Sequence, residues 1–413
     1  TRHPLASAPS TTIMRRRTYL ALATATLGGC ASTSPGATND PGTDPGTDPS
    51  GTPTPNAYVV ETVASGFESP WAVEPLPDRP DLLVTEKPGR LSLVNRETGD
   101  TRRVDGTPEV VARGQGGLLD ATLGPAYPEK PWLYITYSVG RSDGTTSTRV
   151  GRGRLRGLDG DDPRLTGVET LYTAAPFVKS SGHFGSRVAF ADGMYVTVGD
   201  RQFKNFGPDH VAQDPSNDLG TTLRLAPDGS VPEDNPFVGD PDAADAVFSY
   251  GHRNAQGLAV HPDTGVVWET EFGERDGDEI NVLRAGANYG WPVADEGCQY
   301  GSEKPVGVPH DDREDVSAQA YSWPCGSGGF PPSGATFYQG SAFPWTGDLL
   351  VGGLASQYLA RFRVDGETVV EADPLLANRG WRVRDVAVGP DGYIYLVIDA
   401  GDAPVVRLVP ADG

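Results

Sequence analysis

One pattern recurs six times along the chain and constrains its fold more than any other feature: a Gly, Pro or Asp turn followed by a short apolar strand. It runs through Asp81–Glu86 (leading to a further strand from Gly89), Trp132–Tyr137, Asp192–Asp200, Thr264–Glu271, Gly347–Gly353 and Asp391–Ile398. The units are spaced irregularly, at roughly 45 to 80 residues, which is the scale of a four-stranded sheet with its loops. The Asp-Gly form of the turn fits a glycine at positive φ just before an extended strand. No stretch keeps helical periodicity over a dozen residues. A β-sandwich would need fewer residues and would not repeat in this way.

Composition agrees with many strands and turns. The 413 residues include 53 Gly and 37 Pro, high for a helical protein. The chain is therefore predicted to be all-β: a six-bladed β-propeller of four-stranded antiparallel blades over residues 58–413. Tyr58–Val63 is expected to pair with Val405–Val409, closing the ring and removing a free sheet edge.

The first 57 residues do not belong to this fold. Residues 1–13 read as upstream sequence. Met14 opens a basic stretch, Arg15, Arg16 and Arg17, followed by an apolar run too short to span a bilayer that ends at Leu27-Gly-Gly-Cys30. Residues 1–30 thus have the form of an export signal, with paired arginines of the twin-arginine type. The Leu-Gly-Gly-Cys ending resembles a lipobox, which makes Cys30 the expected lipidation site; the alternative is a chance cysteine after an ordinary signal. Residues 31–57 are almost wholly Ser, Thr, Pro, Gly and Asp, and are expected to form a disordered tether. The protein is accordingly expected at the cell surface or outside it, touching the membrane only through the lipid anchor.

The net charge is −21, and the chain has five lysines. Residues 1–30 carry four arginines and no acid, so a chain processed there carries −25. Such a surface excludes nucleic acid as a partner. It fits either adaptation to high salt or a GC-rich gene that replaces Lys by Arg. With Cys30 assigned to the anchor, Cys298 and Cys325 remain. In an exported chain they are expected to form a disulfide, two buried free thiols being the alternative.

A propeller is a scaffold, so function must come from polar residues facing the channel. Four segments place such residues where a plain blade needs none. Gly114–Leu119 combines glycines with Gln115, a donor and acceptor together. Ser181–Arg187 sets His183 between the glycines Gly182 and Gly185, free to face a ligand and to act as a base near neutral pH. The third is Ser249–Leu258, with Arg253 and Asn254. The fourth is Glu271–Asn281, followed by Asn288–Pro292, whose acids and turn carbonyls suit a hard cation such as Ca²⁺.

Together these motifs resemble the glucose/sorbosone dehydrogenase family, which includes soluble glucose and aldose sugar dehydrogenases that use pyrroloquinoline quinone (PQQ). The likeness spans Phe67 to Pro410 and includes His-Arg-Asn-x-Gln-Gly-Leu, Asp-Glu-Ile-Asn and Asn-Tyr-Gly-Trp-Pro. Ser69-Pro-Trp, Gln-Gly-Gly-Leu-Leu, His-Phe-Gly-x-Arg, Gly199-Asp-Arg and Arg382-Val-Arg-Asp-Val extend it. The resemblance implies oxidation of an aldose C1 hydroxyl to the lactone, with hydride passing to the quinone and an external acceptor taking the electrons. It makes His183 the general base, with Gln115 beside it. Arg253 and Asn254 correspond to residues on the quinone oxygens, and Arg382 and Arg384 to cations on the cofactor carboxylates. It gives Gly273 and Glu274 backbone carbonyls for the catalytic Ca²⁺, and Glu279 and Tyr289 a second, structural calcium site.

The chain also departs from the glucose enzyme's pattern. Leu354–Gln357, including Ala355, lacks the lysine that contacts PQQ there, and Gly182 stands for the acid before the base. Phe272 and Glu274 replace a glutamine and a proline. Two other functions therefore compete with the dehydrogenase: a non-catalytic surface propeller that binds a ligand or partner, and a calcium-dependent hydrolase.

Overall fold

The computed structural model describes residues 58–411. The signal, the Cys30 anchor and the 31–57 tether lie outside the described residues. Within them the chain forms six four-stranded antiparallel sheets, each a blade. Blade I is built from Pro70–Pro75, Asp81–Glu86, Arg90–Asn95 and Thr101–Val104. Blade II uses Leu118–Leu123, Trp132–Gly140, Thr146–Arg156 and Arg164–Thr173, and blade III uses Val188–Phe190, Met194–Val198, Thr221–Leu225 and Val247–Tyr250. Blade IV has Ala255–Val260, Val267–Glu271, Asp278–Val282 and Tyr321–Trp323; blade V has Pro332–Phe337, Leu349–Gly353, Leu359–Asp365 and Thr368–Glu371. Blade VI takes Val383–Val388, Ile394–Ile398 and Ala403–Pro410 from the C-terminal end and its fourth strand, Tyr58–Phe67, from the other end. Tyr58 pairs with Pro410 and Thr62 with Val406, so the ring closes as expected, antiparallel and without a loose edge.

All six repeats seen in the sequence fall on the second strand of a blade. Those strands are covered on both faces by neighbouring blades, so they are buried at nearly every position instead of alternating, with apolar residues broken by buried polar ones such as Thr85, Thr136 and Glu269. Ile394–Ile398 is buried at every position. The hydrophobic clusters accordingly sit between blades: one joins blades I, V and VI around Leu82, Leu350 and Leu396. Others join I to II, II to III and IV to V. Each fully buried Leu or Val contributes about 1.5–3 kcal/mol. The first strands of successive blades touch one another around the ring, so they line the central channel. Helical structure among the described residues is confined to two three-residue turns, Val211–Gln213 and His310–Asp312. None of it is long and apolar enough to cross a membrane.

The segment between Trp291 and Pro332 is more than a loop. It carries the Cys298–Cys325 disulfide, with Cα atoms 5.2 Å apart, and also supplies the outermost strand of blade IV. Asp276 ties the bridge to the preceding turn: its carboxylate accepts from the Cys298 and Gly326 backbone N–H groups at 2.8 Å each. The cross-link spans 27 residues. Replacing both cysteines by serine is expected to lower the unfolding free energy by about 3 kcal/mol, read from urea unfolding under oxidising conditions.

Candidate active site

The six first strands all begin at the same end of the channel, and a cavity of about 500 Å³ opens there. Because every blade delivers its strand start to this point, residues far apart in sequence converge. Gln115, His183, Arg253, Asn254, Arg382 and Arg384 all line the cavity.

His183 is buried, and its backbone adopts a left-handed φ of 48°. Such a conformation in a non-glycine residue costs of order 1–3 kcal/mol and persists only where surroundings enforce it. Gln115 Oε1 supplies one restraint, accepting from the His183 backbone N–H at 2.7 Å. Asp200 supplies the other: its Oδ1 lies 2.6 Å from His183 Nδ1. A carboxylate there fixes the proton on Nδ1, leaving Nε2 as an acceptor with no hydrogen-bond partner among the described residues. Burial lowers the His183 pKa, the Arg253 charge lowers it further, and Asp200 only partly opposes them. The imidazole is therefore neutral at neutral pH. Burial alone would raise the Asp200 pKa, but His183 and Arg253 hold it below the usual value, so the carboxylate stays ionised. Trp291 Nε1 donates to its other oxygen at 2.9 Å.

The rest of the wall is cationic. Arg382 and Arg384 converge on one carboxylate, Asp399, with Nη2 to Oδ2 distances of 2.9 and 3.0 Å. Arg384 is buried and also donates to Gln256 Oε1 at 2.8 Å. The Glu274 carboxylate accepts from Lys204 at 2.6 Å and from Arg253 at 2.7 Å. Lys87 faces the same space from blade I; burial and the charges of Arg384 and Arg382 lower its pKa. Five cationic side chains thus line the cavity, Lys87, Lys204, Arg253, Arg382 and Arg384, with the one carboxylate Asp399; Glu274 and Asp200 pair with lining residues from behind. In a chain of net charge −21 this local surplus of positive charge marks a site for an anion.

The metal-site residues divide. The Gly273 and Glu274 carbonyls beside the cavity accept no hydrogen bond among the described residues. The Gly273 N–H donates to Asp278 Oδ1 at 3.0 Å, which fixes the turn. Glu279 and Tyr289 do not line the cavity; they meet at His310, whose Nε2 lies 3.0 Å from the Tyr289 carbonyl and whose Nδ1 lies 3.9 Å from Glu279 Oε1. Glu279, Glu296 and His310 bring their side-chain ligand atoms close enough together to share a cation.

Several groups at the site had no role in the sequence reading. Asp200 was visible only as part of Gly199-Asp-Arg. Lys87 looks like an ordinary turn cation, and Gln202, Asp399 and Tyr300 carry no local signal. Leu354, Ala355 and Phe272 do line the cavity, and no lysine comes from that wall; Lys87 supplies a cation from another.

The fold and the cavity define a β-propeller with a pocket at the mouth of its channel, in which cationic side chains gather beside a buried histidine. Comparison with known proteins goes further. The glucose/sorbosone dehydrogenase family model matches residues 67–407, and the chain belongs to that family. It is 34% identical over 363 residues to the aldose sugar dehydrogenase of Escherichia coli, covering 86% of this chain and 94% of that protein. The apo crystal structure of the soluble E. coli aldose sugar dehydrogenase matches with a TM-score of 0.80 at 33% identity, covering 86% of this chain and all of the other. The PQQ-bound aldose sugar dehydrogenase of Streptomyces coelicolor matches with a TM-score of 0.69 at 28% identity, covering 86% and 98%. Quinoprotein glucose dehydrogenase B of Acinetobacter calcoaceticus is 27% identical over 408 residues, covering 82% and 84%.

Proposed function

We propose that the protein is a PQQ- and Ca²⁺-dependent dehydrogenase that oxidises the C1 hydroxyl of an aldose to the lactone, with His183 as general base. The observation that carries this reading is the neutral His183, oriented by Asp200, opening into a cavity lined by five cationic side chains. The residues present fit a tricarboxylate cofactor. Besides that charge surplus, Arg253 Nε and Arg384 Nε are buried with no hydrogen-bond partner among the described residues.

In this reading Arg382, Arg384 and Lys87 would hold the cofactor carboxylates, and Arg253 and Asn254 would bind its quinone oxygens, where positive charge favours reduction. The Gly273 and Glu274 carbonyls would hold Ca²⁺. When bound, PQQ supplies the two-electron acceptor for the hydride that leaves C1. His183 Nε2 takes the proton of the C1 hydroxyl, and Asp200 stabilises the imidazolium that forms. Gln115 keeps the histidine backbone in its left-handed conformation. We further propose that the protein works outside the cytoplasm, anchored through Cys30.

The test is to add PQQ and CaCl₂ to the purified apo-protein and assay aldoses with a dye acceptor. Dye reduction is expected only with both additions. A hydrolase would act without PQQ, and a binding module would reduce no dye; either result overturns the proposal. Arg384→Ala is expected to weaken PQQ binding about 10- to 100-fold, read by tryptophan fluorescence titration, with turnover at saturating PQQ less affected.

A further inference from the structure

Gln202 is held in an unusual position beside the base. It follows Arg201 in a turn where both residues are left-handed, with φ of 58° and 67°. Two contacts enforce this. The Gln202 backbone N–H donates to Asp200 Oδ1 at 2.8 Å, and its side-chain Oε1 accepts from the Ser180 hydroxyl at 3.2 Å.

The turn lays the carboxamide over Gly182, the residue before His183. A Cβ on Gly182 would fall 2.4 Å from Gln202 Cδ and 2.6 Å from its Nε2. Gly182 is thus bare where Gln202 takes up the room of a side chain. One end of the exposed carboxamide meets the Ser180 hydroxyl, which leaves the other, Nε2, as its second polar end. It has no hydrogen-bond partner among the described residues, and Gln202 lines the cavity.

We propose that Gln202 reads the substrate hydroxyl next to the reacting carbon. If His183 Nε2 takes the C1 proton, the group beside it faces the neighbouring hydroxyl of the same ring. A hydrogen-bonding amide held at that place reaches one configuration of that oxygen and misses the other. This inference rests on the sugar-oxidising reading above and deepens it to configuration at C2.

The test compares kcat/KM for D-glucose and D-mannose, which differ at C2, with D-galactose, which differs from glucose at C4. The parent is expected to discriminate between the C2 epimers. Gln202→Ala is expected to move the glucose-to-mannose ratio about tenfold towards unity, mainly through KM. The glucose-to-galactose ratio should stay, and PQQ affinity by fluorescence titration should remain within about twofold of the parent. Gly182→Ala, which pushes the amide aside, is expected to shift the same ratio in the same direction.

A parent that oxidises both C2 epimers equally overturns the inference while leaving the dehydrogenase reading intact. So does a Gln202→Ala protein that keeps the parent's ratio, or one that loses PQQ affinity, which would make Gln202 structural. A parent with no PQQ-dependent sugar oxidation removes the reading itself.

Discussion

Replacing His183 with alanine is expected to lower turnover at saturating sugar by about 10²-fold or more, while the PQQ dissociation constant stays close to that of the parent. The imidazole contacts Asp200, and Gln115 holds the His183 backbone N–H; neither is one of the cations that would hold the cofactor, so proton abstraction and cofactor binding separate. Asp200→Asn is expected to lose between about 10²- and 10⁴-fold, because an amide no longer fixes the Nδ1 proton or stabilises the imidazolium. Stopped-flow reduction with PQQ bound measures both. A His183→Ala protein that oxidises sugars at the parent rate refutes the mechanism.

The pH dependence follows from the same contacts. The working form of His183 is neutral, and burial with Arg253 lowers its pKa below 6.5. Activity is therefore expected to be level through neutral pH and to fall only on the acid side of 6.5, as the imidazole takes up a proton. Asp200 favours the charged imidazolium. Its replacement by Asn should move the acid limb to still lower pH in whatever activity remains. A limb that moves upward would contradict the assigned contact.

The strands most legible in the sequence were those sandwiched between blades, where a mostly apolar run follows a turn. Outer strands gave little signal for a physical reason. Thr101–Val104 and Thr368–Glu371 are half in solvent, so nothing obliges their residues to be apolar. Tyr321–Trp323 was hidden because three residues inside a Gly- and Pro-rich segment show no period. Site residues held in motifs, such as His183 and Arg253, could be named in advance. Asp399 and Lys87 could not, since each matters only through side chains delivered from elsewhere on the ring. Glu274 shows the same limit. Its backbone carbonyl was the expected donor, but its carboxylate also joins Lys204 to Arg253 across a turn that sequence alone does not close.

Arg187→Ala is expected to destabilise the fold by about 3–5 kcal/mol, because Arg187 is the ionic hub of the channel and losing it strands two buried carboxylates. The guanidinium reaches Asp120 of blade II and Asp385 of blade VI at 2.9 Å each, and donates to the Gln256 carbonyl of blade IV at 2.7 Å. It lies 4.1 Å from the ring centroid of Trp71 in blade I. Blade V contributes Gly334, where a Cβ would fall 1.7 Å from Asp385 Oδ1, so only glycine lets the pair approach. One side chain of blade III thus contacts or closely approaches all five other blades. Burial already raises the Asp385 pKa to about 6 despite the pairing with Arg187. Without Arg187 it should rise further, and the mutant's deficit should shrink as pH falls and the acid becomes neutral. Urea unfolding at pH 7 and pH 5 measures the difference. A triple variant, Arg187→Met with Asp120→Asn and Asp385→Asn, should recover much of the loss, since no charge is then left buried without a partner. If the single mutant is as stable as the parent at pH 7, Arg187 does not hold the blades together, and the apolar seams between them suffice.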